Sequence, residues 1–249
     1  MEIEIGGLAV FEIVFISLFG LVFGSFLNVV IYRVPLEQSV VTPRSSCPNC
    51  GNLIKWYQNI PIVSYIALKG KCANCGIKIP IQYPLVEFMT AMLFVAIYFK
   101  NGIDLNYIFL VLLFSLLLAL SMIDLKYLAV PDSINLLAFL VSIFVTQNYL
   151  ENITNALIMA GFFTMLRFYV SFALKKEAMG EGDITIGGIM GAVLGVELSF
   201  AALFISALIA LPFSVINKQI PYIPFLTSAL LITYLFDETI LNIINKIYG

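Results

Sequence analysis

Apolar residues run along this chain in blocks of membrane-spanning length, separated by short polar stretches. The first block, 8–32, is interrupted only by Glu12 and, toward its end, by Gly20, Gly24, Ser25 and Asn28. That pattern fits a helix surrounded by hydrocarbon better than one with a single wet face. Further blocks follow at 85–99, 107–123, 134–146, 153–174, 184–196, 198–214 and 223–236. The expected fold is an all-α polytopic membrane protein of about eight transmembrane helices. Gly20 and Gly24, four apart, predict close helix packing. Glu12 reads as an interfacial or buried structural carboxylate, and Arg33 and Pro35 end the first helix.

Between the first two blocks the pattern changes. Residues 36–84 carry Arg44, Lys55, Lys69, Lys71 and Lys78, all four cysteines and the only tryptophan. This stretch is expected to form a small cytoplasmic, zinc-ribbon-like module. The domain plan is a first transmembrane helix at 1–35, the cysteine module at 36–84 and a transmembrane domain at 85–249.

Composition agrees with the pattern: 61% of the 249 residues are hydrophobic and 11% charged, against roughly 25% charged in soluble domains. A net charge of −2 and the lack of a basic run exclude a nucleic-acid stripe, so the expected surroundings are membrane lipid. The N-terminus lacks the basic region of a cleavable signal and predicts a retained signal-anchor. Histidine is absent, which removes Ser-His-Asp triads, Cys-His pairs and His-based zinc proteases.

Alternating eight spans from an outside N-terminus puts the cysteine module, Arg33, Lys126, Arg167, Lys175, Lys176 and Lys218 on one side, and only Lys100 and Lys246 on the other. Eleven of the thirteen basic residues then share a face, which the positive-inside bias makes cytoplasmic.

Two aspartates fall on that face. Met179-Gly-Glu-Gly-Asp-Ile-Thr-Ile-Gly-Gly188 sets Asp183 in a glycine-rich turn between apolar segments. A carboxylate there costs roughly 2.5–3.5 kcal/mol at a helix centre, so it is read first as functional. Helix capping is an equally good reading of Asp183 alone. Asp124, closing a long apolar block at the same depth, tips the balance toward chemistry. Pro131-Asp132-Ser133 reads as the start of the next helix, with Asp132 in a capping or supporting role. Two carboxyls brought together cannot both ionise cheaply, so one holds a proton while the other is charged. Such a pair can activate water against a peptide carbonyl and hydrogen-bond the developing oxyanion. Gly180 and Gly182 would allow close approach. Gly187, Gly191 and Gly195, every four residues, read as helix packing.

The cysteines form two knuckles, Cys47-Pro-Asn-Cys50 and Cys72-Ala-Asn-Cys75, each followed by glycine and separated by twenty-one residues. On a reducing face this spacing predicts a structural four-thiolate zinc site, with no open position for catalysis.

With these residues in view, the chain resembles the bacterial type IV prepilin peptidases, membrane aspartic proteases of the Gly-x-Gly-Asp class that also N-methylate their product. The likeness runs through Phe23-Gly-Ser-Phe-Leu-Asn-Val-Val-Ile-Tyr-Arg33, Ser46-Cys-Pro-Asn-Cys50 and Trp56-Tyr-Gln-Asn-Ile-Pro61 with Ser64-Tyr65. It continues through Lys69-Gly-Lys-Cys-Ala-Asn-Cys75, Tyr83-Pro-Leu-Val-Glu87, Asp124 with Pro131-Asp132, Gly180-Glu-Gly-Asp183 and Ile220-Pro-Tyr-Ile-Pro-Phe225.

The resemblance implies cleavage of the short basic leader of prepilins or pilin-like proteins at the cytoplasmic face of the inner membrane, after the leader's terminal glycine. It implies Asp124 and Asp183 as the catalytic pair. It also implies methylation of the new N-terminus, commonly phenylalanine, from S-adenosylmethionine, with Gly70 and Lys71 in the methylation-linked stretch. Two residues depart from the family pattern: Thr185 stands where a lysine is usual, and Glu181 stands between the loop glycines. Two other readings stay open, a peptidase without methylation and a non-enzymatic scaffold that docks partners through a zinc ribbon.

Overall fold

A computed structural model describes residues 7–175, 179–216 and 220–248. Lys176 and Lys218 of the charge pattern lie outside the described residues. The elements are α1 (Gly7–Arg33), α2 (Val63–Ala67), α3 (Gln82–Asn101), α4 (Leu105–Tyr127), α5 (Asp132–Ile143), α6 (Tyr149–Leu174), α7 (Glu181–Ile216), α8 (Ile223–Leu235) and α9 (Asp237–Tyr248), with short 3-10 turns at Val34–Leu36 and Trp56–Asn59. Extended pairing among the described residues is limited to two isolated bridges, Ser46 with Leu53 and Lys71 with Lys78. The all-helical class is as expected.

Among the described residues, five helices are long and apolar enough to cross a membrane, or six if α8 and α9, bent by 85° at their junction, form one broken span. The eight apolar blocks distribute differently for physical reasons. Blocks 184–196 and 198–214 both lie in α7, whose one non-helical residue is Gly195 at φ 74, ψ 174. A side chain there would be strained, so glycine is required for the break itself. The block at 134–146 becomes the twelve-residue α5. At 1.5 Å per residue it is too short for a hydrocarbon core of about 30 Å.

The chain separates into two compact units, Met1–Phe99 and Lys100–Gly249. In the first, α1 lies against α3 at its glycines. A Cβ at Gly20 would sit 2.7 Å from Ala91 Cα, and one at Gly24 would sit 2.7 Å from Glu87 Cα. Small residues set that approach, as the spacing predicted. Glu12 accepts a hydrogen bond from the Tyr98 hydroxyl, which is a structural role. Buried Glu87 accepts the Ile62 N–H at 2.7 Å, at a residue held in the unusual positive-φ region.

In the second unit α4 is the buried axis. Its start is capped by Asp104, which accepts the Tyr107 N–H, and its end by Leu128 in the left-handed region. The first half of α7 packs into α5 and α6 through its glycines. Cβ atoms at Gly187, Gly188 and Gly191 would meet Phe163 at 2.5 Å, Phe139 at 2.9 Å and the Asn155 carbonyl at 2.3 Å. Gly195 departs from that series: its Cβ would meet only Asn155 Nδ2, at 3.8 Å, so it serves the break and not close packing.

A backbone carbonyl cannot move aside as a side chain can, so Gly191→Ala is expected to force α6 and α7 apart at a cost of roughly 1–3 kcal/mol. Gly161 in α6 faces open space, with nothing within 4 Å of where an added methyl would sit. Gly161→Ala should therefore be neutral or gain up to about 1 kcal/mol from helix propensity. Thermal unfolding of both variants in detergent checks the contrast; equal midpoints would refute the packing role of Gly191.

Candidate functional site

Asp124 sits in the last turn of α4 and Asp183 in the first turn of α7, and both are buried, at 6% and 8% exposure. Each is held by a backbone amide at the start of a helix. Asp183 Oδ2 accepts the Gly180 N–H at 3.0 Å, the reach-back half of a capping box. Asp124 Oδ2 accepts the Ile223 N–H at 3.2 Å, where α8 begins. Helix starts carry unpaired N–H groups and a partial positive charge, so both carboxyls lie where carboxylate oxygens are well received. Asp124 and Arg167 lie near enough for their charges to act on Asp183. Oδ1 of each has no hydrogen bond among the described residues.

The surroundings fix this geometry. One turn before Asp124, the Ser121 hydroxyl shares a 2.7 Å hydrogen bond with Thr227 of α8, which ties the helix bearing one aspartate to the helix that caps it. Gly182 faces Val130 of the α4–α5 connection, and a Cβ there would be 2.8 Å from Val130 Cγ2. At Gly180 a Cβ would meet only Asp183 Oδ2, at 3.6 Å. The close approach read from both glycines therefore belongs to Gly182. Capping and chemistry were alternatives for Asp183 in the sequence; in the structure one oxygen caps and the other is left over.

Glu181 is exposed and 3.3 Å from Arg167, which gives this departure a local partner. Asp132 is the first residue of α5; the cap position is Pro131, and no side-chain cap bond forms there. The expected capping role of Asp132 is thus replaced by a place in the first turn, where a carboxylate suits the helix dipole. Thr185 lines an open groove with Asp132 and Asn135. The Ile223 amide was not foreseen, because a backbone donor leaves no side-chain signature. Asn135 was also missed, although an amide side chain inside the mainly apolar α5 was a signal.

In the first unit, the four sulfur atoms of Cys47, Cys50, Cys72 and Cys75 lie within 4.8 Å of one another. Cys47 and Cys75 are 3.8 Å apart, about the edge of a tetrahedron with metal–sulfur bonds of about 2.3 Å. The donor set therefore fits zinc. The two knuckles repeat each other: Gly51 and Gly76 take φ of 67° and 71°, and their N–H groups donate to the Cys47 and Cys72 carbonyls at 2.9 and 3.0 Å. They are cross-tied by side chains, Asn49 Nδ2 donating to Cys75 Sγ at 3.6 Å and Asn74 Nδ2 to Cys50 Sγ at 3.5 Å. The Asn74 bond, aided by the backbone at Asn52, brings the Cys50 thiol down to about 6.

Gly70 and Lys71 stand at the base of the second knuckle. Gly70 has φ 65, and a Cβ would be 3.0 Å from the Tyr65 hydroxyl, so its glycine follows from the turn. Lys71 is exposed and bridges Lys78. These two residues alone do not make a cradle for S-adenosylmethionine.

Comparison with known proteins separates the chain along similar lines. Residues 18–101 match the bacterial peptidase A24 N-terminal domain, and residues 111–215 match the type IV leader peptidase family. A prepilin leader peptidase/N-methyltransferase of Myxococcus xanthus is 40% identical over 186 residues, 73% of this chain and 56% of that protein. Proteins of the same description from Bacillus subtilis and Neisseria gonorrhoeae are each 32% identical, covering 90% and 86% of this chain and 94% and 85% of their own lengths. No solved structure matches the chain.

Proposed function

The chain belongs to the type IV leader peptidase family, and we propose that it is a membrane-embedded peptidase that removes the leader of prepilins or pilin-like proteins and N-methylates the new N-terminus. The observation that supports the peptidase half is that two buried aspartates each lie at a helix end with one oxygen held by the amide at a helix start. Asp124 and Asp183 act as one dyad sharing a proton. The charged member takes a proton from water as the water oxygen bonds to the scissile carbonyl carbon, and the protonated member hydrogen-bonds the developing oxyanion. Collapse of that adduct breaks the C–N bond, and the proton goes to the departing amine. Because the pair titrates jointly, neither aspartate has a fixed role.

The basic residues of the cysteine module and Lys126, two residues after Asp124, support a cytoplasmic site in the inner membrane. Glu181 and Asp132, both exposed, suit a basic leader there, which is cleaved after its terminal glycine.

In this reading Cys47, Cys50, Cys72 and Cys75 hold one structural zinc ion, and Asn49 and Asn74 brace the opposite knuckle's thiolates. The ion supplies cross-linking to a module with little core of its own. The methyl donor would be S-adenosylmethionine, and Gly70, at φ 65, shapes the backbone beside the second knuckle.

Asp183→Asn and Asp124→Asn keep an oxygen for the Gly180 and Ile223 amides, so both variants should fold and lose at least about 100-fold in prepilin cleavage, the usual weight of a proton-transfer group. Cleavage by purified protein in detergent, with unfolding midpoints as control, is the check; equal cleavage by a variant and its parent removes that aspartate from the mechanism. The mass of the mature substrate's N-terminus reads methylation, and a cleaved but unmethylated product would leave a peptidase alone.

For the metal, purified protein should carry about one zinc per chain. Asn49→Ala and Asn74→Ala should each weaken its retention by roughly 10–100-fold in competition with a chelator, as loss of a supporting donor does. Unchanged retention would deny the two amides a role at the site.

A further inference from the structure

The cysteine module carries exposed apolar side chains that neither the knuckles nor the peptidase reading uses. Trp56 is 78% exposed, and Tyr57, Ile60, Val63 and Ile66 close to it in the chain are exposed as well. Val63 and Ile66, three apart on α2, share one face. Apolar side chains gathered in this way at a surface mark a place of interaction. The charge around them has one sign: residues 34–81 hold Arg44, Lys55, Lys69, Lys71 and Lys78, all exposed, against the single acidic residue Glu37. Lys55 Nζ lies 5.8 Å over the Tyr57 ring, so the basic and aromatic features adjoin.

This segment is pinned to the spanning helices of its own unit. Glu87 lies five residues into α3, about 7.5 Å along a helix that rises 1.5 Å per residue. Its Oε2 accepts the Ile62 N–H at 2.7 Å. The loop between the 3-10 turn and α2 therefore runs beside the first turns of a span instead of standing off from it. Ile62 is held there at φ 57, ψ −49, a region that a β-branched residue rarely adopts, so the contact persists against backbone strain. At the other end of the module, Arg33 Nη1 and Nη2 donate to the Ser39 and Pro43 carbonyls at 2.9 and 2.7 Å, which folds that segment back onto the end of α1. Val41, between those two carbonyls, is 82% exposed. Ile81 and Leu85, exposed where α3 begins, carry apolar surface from the span up to the module.

We infer that the 56–66 segment is an interfacial anchor, seated in the headgroup region of an anionic leaflet beside α1 and α3. Trp56 and Tyr57 take the place that amphipathic rings occupy at a membrane boundary. Ile60, Val63 and Ile66 reach the upper acyl chains, while Lys55 and Lys69 meet anionic headgroups. A soluble partner could cover the same side chains, but it gives no reason for the segment to be hydrogen-bonded to the start of a span. Lipid already surrounds that span. The cysteine knuckles are thereby held at the membrane surface. The inference stands apart from the peptidase and methylation readings.

Trp56 is the only tryptophan of the chain, so its fluorescence reports this segment alone. The test places the full chain in lipid nanodiscs of phosphatidylcholine mixed with phosphatidylglycerol, with bromine on the acyl chains either just below the carbonyl end or near the terminal methyl. Interfacial segments lie about 5–10 Å into the headgroup and acyl boundary, so the shallow bromines should quench Trp56 at least about twofold more than the deep ones. Its emission should be shifted to the blue, and acrylamide in the water should quench it weakly. Lys55→Gln combined with Lys69→Gln, both at exposed positions, should raise acrylamide quenching about twofold in the mixed nanodiscs and hardly at all in phosphatidylcholine alone. Emission at the wavelength of indole in water, open to acrylamide and indifferent to both bromolipids, would overturn the anchor. Protection of Trp56 that arises only when a prepilin-derived peptide is added would overturn it as well, and give this face to substrate. Equal quenching of the double variant and its parent in both lipids would remove the anionic headgroups from the proposal.

Discussion

Two carboxyl groups taken out of water each need a donor, and here each donor is the first free amide of a helix. That requirement shapes the second unit. Asp183 needs Gly180 just ahead of the first residue of α7, and Asp124 needs α8 to begin at Ile223. Two helix starts must therefore arrive at the same place as the end of α4. An aspartate serves at each place because one oxygen satisfies an orphan amide while the other has no hydrogen bond among the described residues.

The remaining packing is what delivers those helix ends. Gly182 lets the start of α7 come down against Val130, while Gly187, Gly188 and Gly191 draw the same helix onto α5 and α6. Association of helices in lipid has no hydrophobic driving force, so close van der Waals contact and interhelical hydrogen bonds must carry it. Ser121 and Thr227 supply one such bond beside Asp124. Past this packed segment Gly195 breaks the helix, which frees the second half of α7 to follow a different line from the half that holds the aspartate.

The helical class, the placing of Asp124 and Asp183 at helix ends, the close packing of Gly20, Gly24, Gly187 and Gly191, and the cysteine cluster were legible in the sequence, because each rests on residue type and spacing along the chain. What was not legible depends on which elements meet. Periodicity cannot tell that two apolar blocks form one helix broken at Gly195, because hydrophobicity is continuous across it. Nor can it show that Asp132 falls one residue inside the helix with Pro131 at the cap, a shift that decides between capping and lining a groove. The amide of Ile223 is invisible for a deeper reason: every residue but proline has one, and only the fold selects which is used.

The cysteine module solves a different problem by repetition. Residues 45–54 and 70–79 follow one plan, in which Ile54 donates to Ser45 and Ile79 to Gly70 at 2.9 and 2.8 Å, and Cys47 and Cys72 donate to Asn52 and Ile77. The isolated bridges at Ser46–Leu53 and Lys71–Lys78 occupy matching places. Of the four cysteines only Cys47 is buried, so hydrophobic burial cannot be what holds the halves together. The asparagines cross from each knuckle to the other, Asn49 to Cys75 and Asn74 to Cys50, which makes the relation reciprocal. Small loops of this kind gain order together or not at all, and a single ion bound by all four sulfurs would couple them most directly.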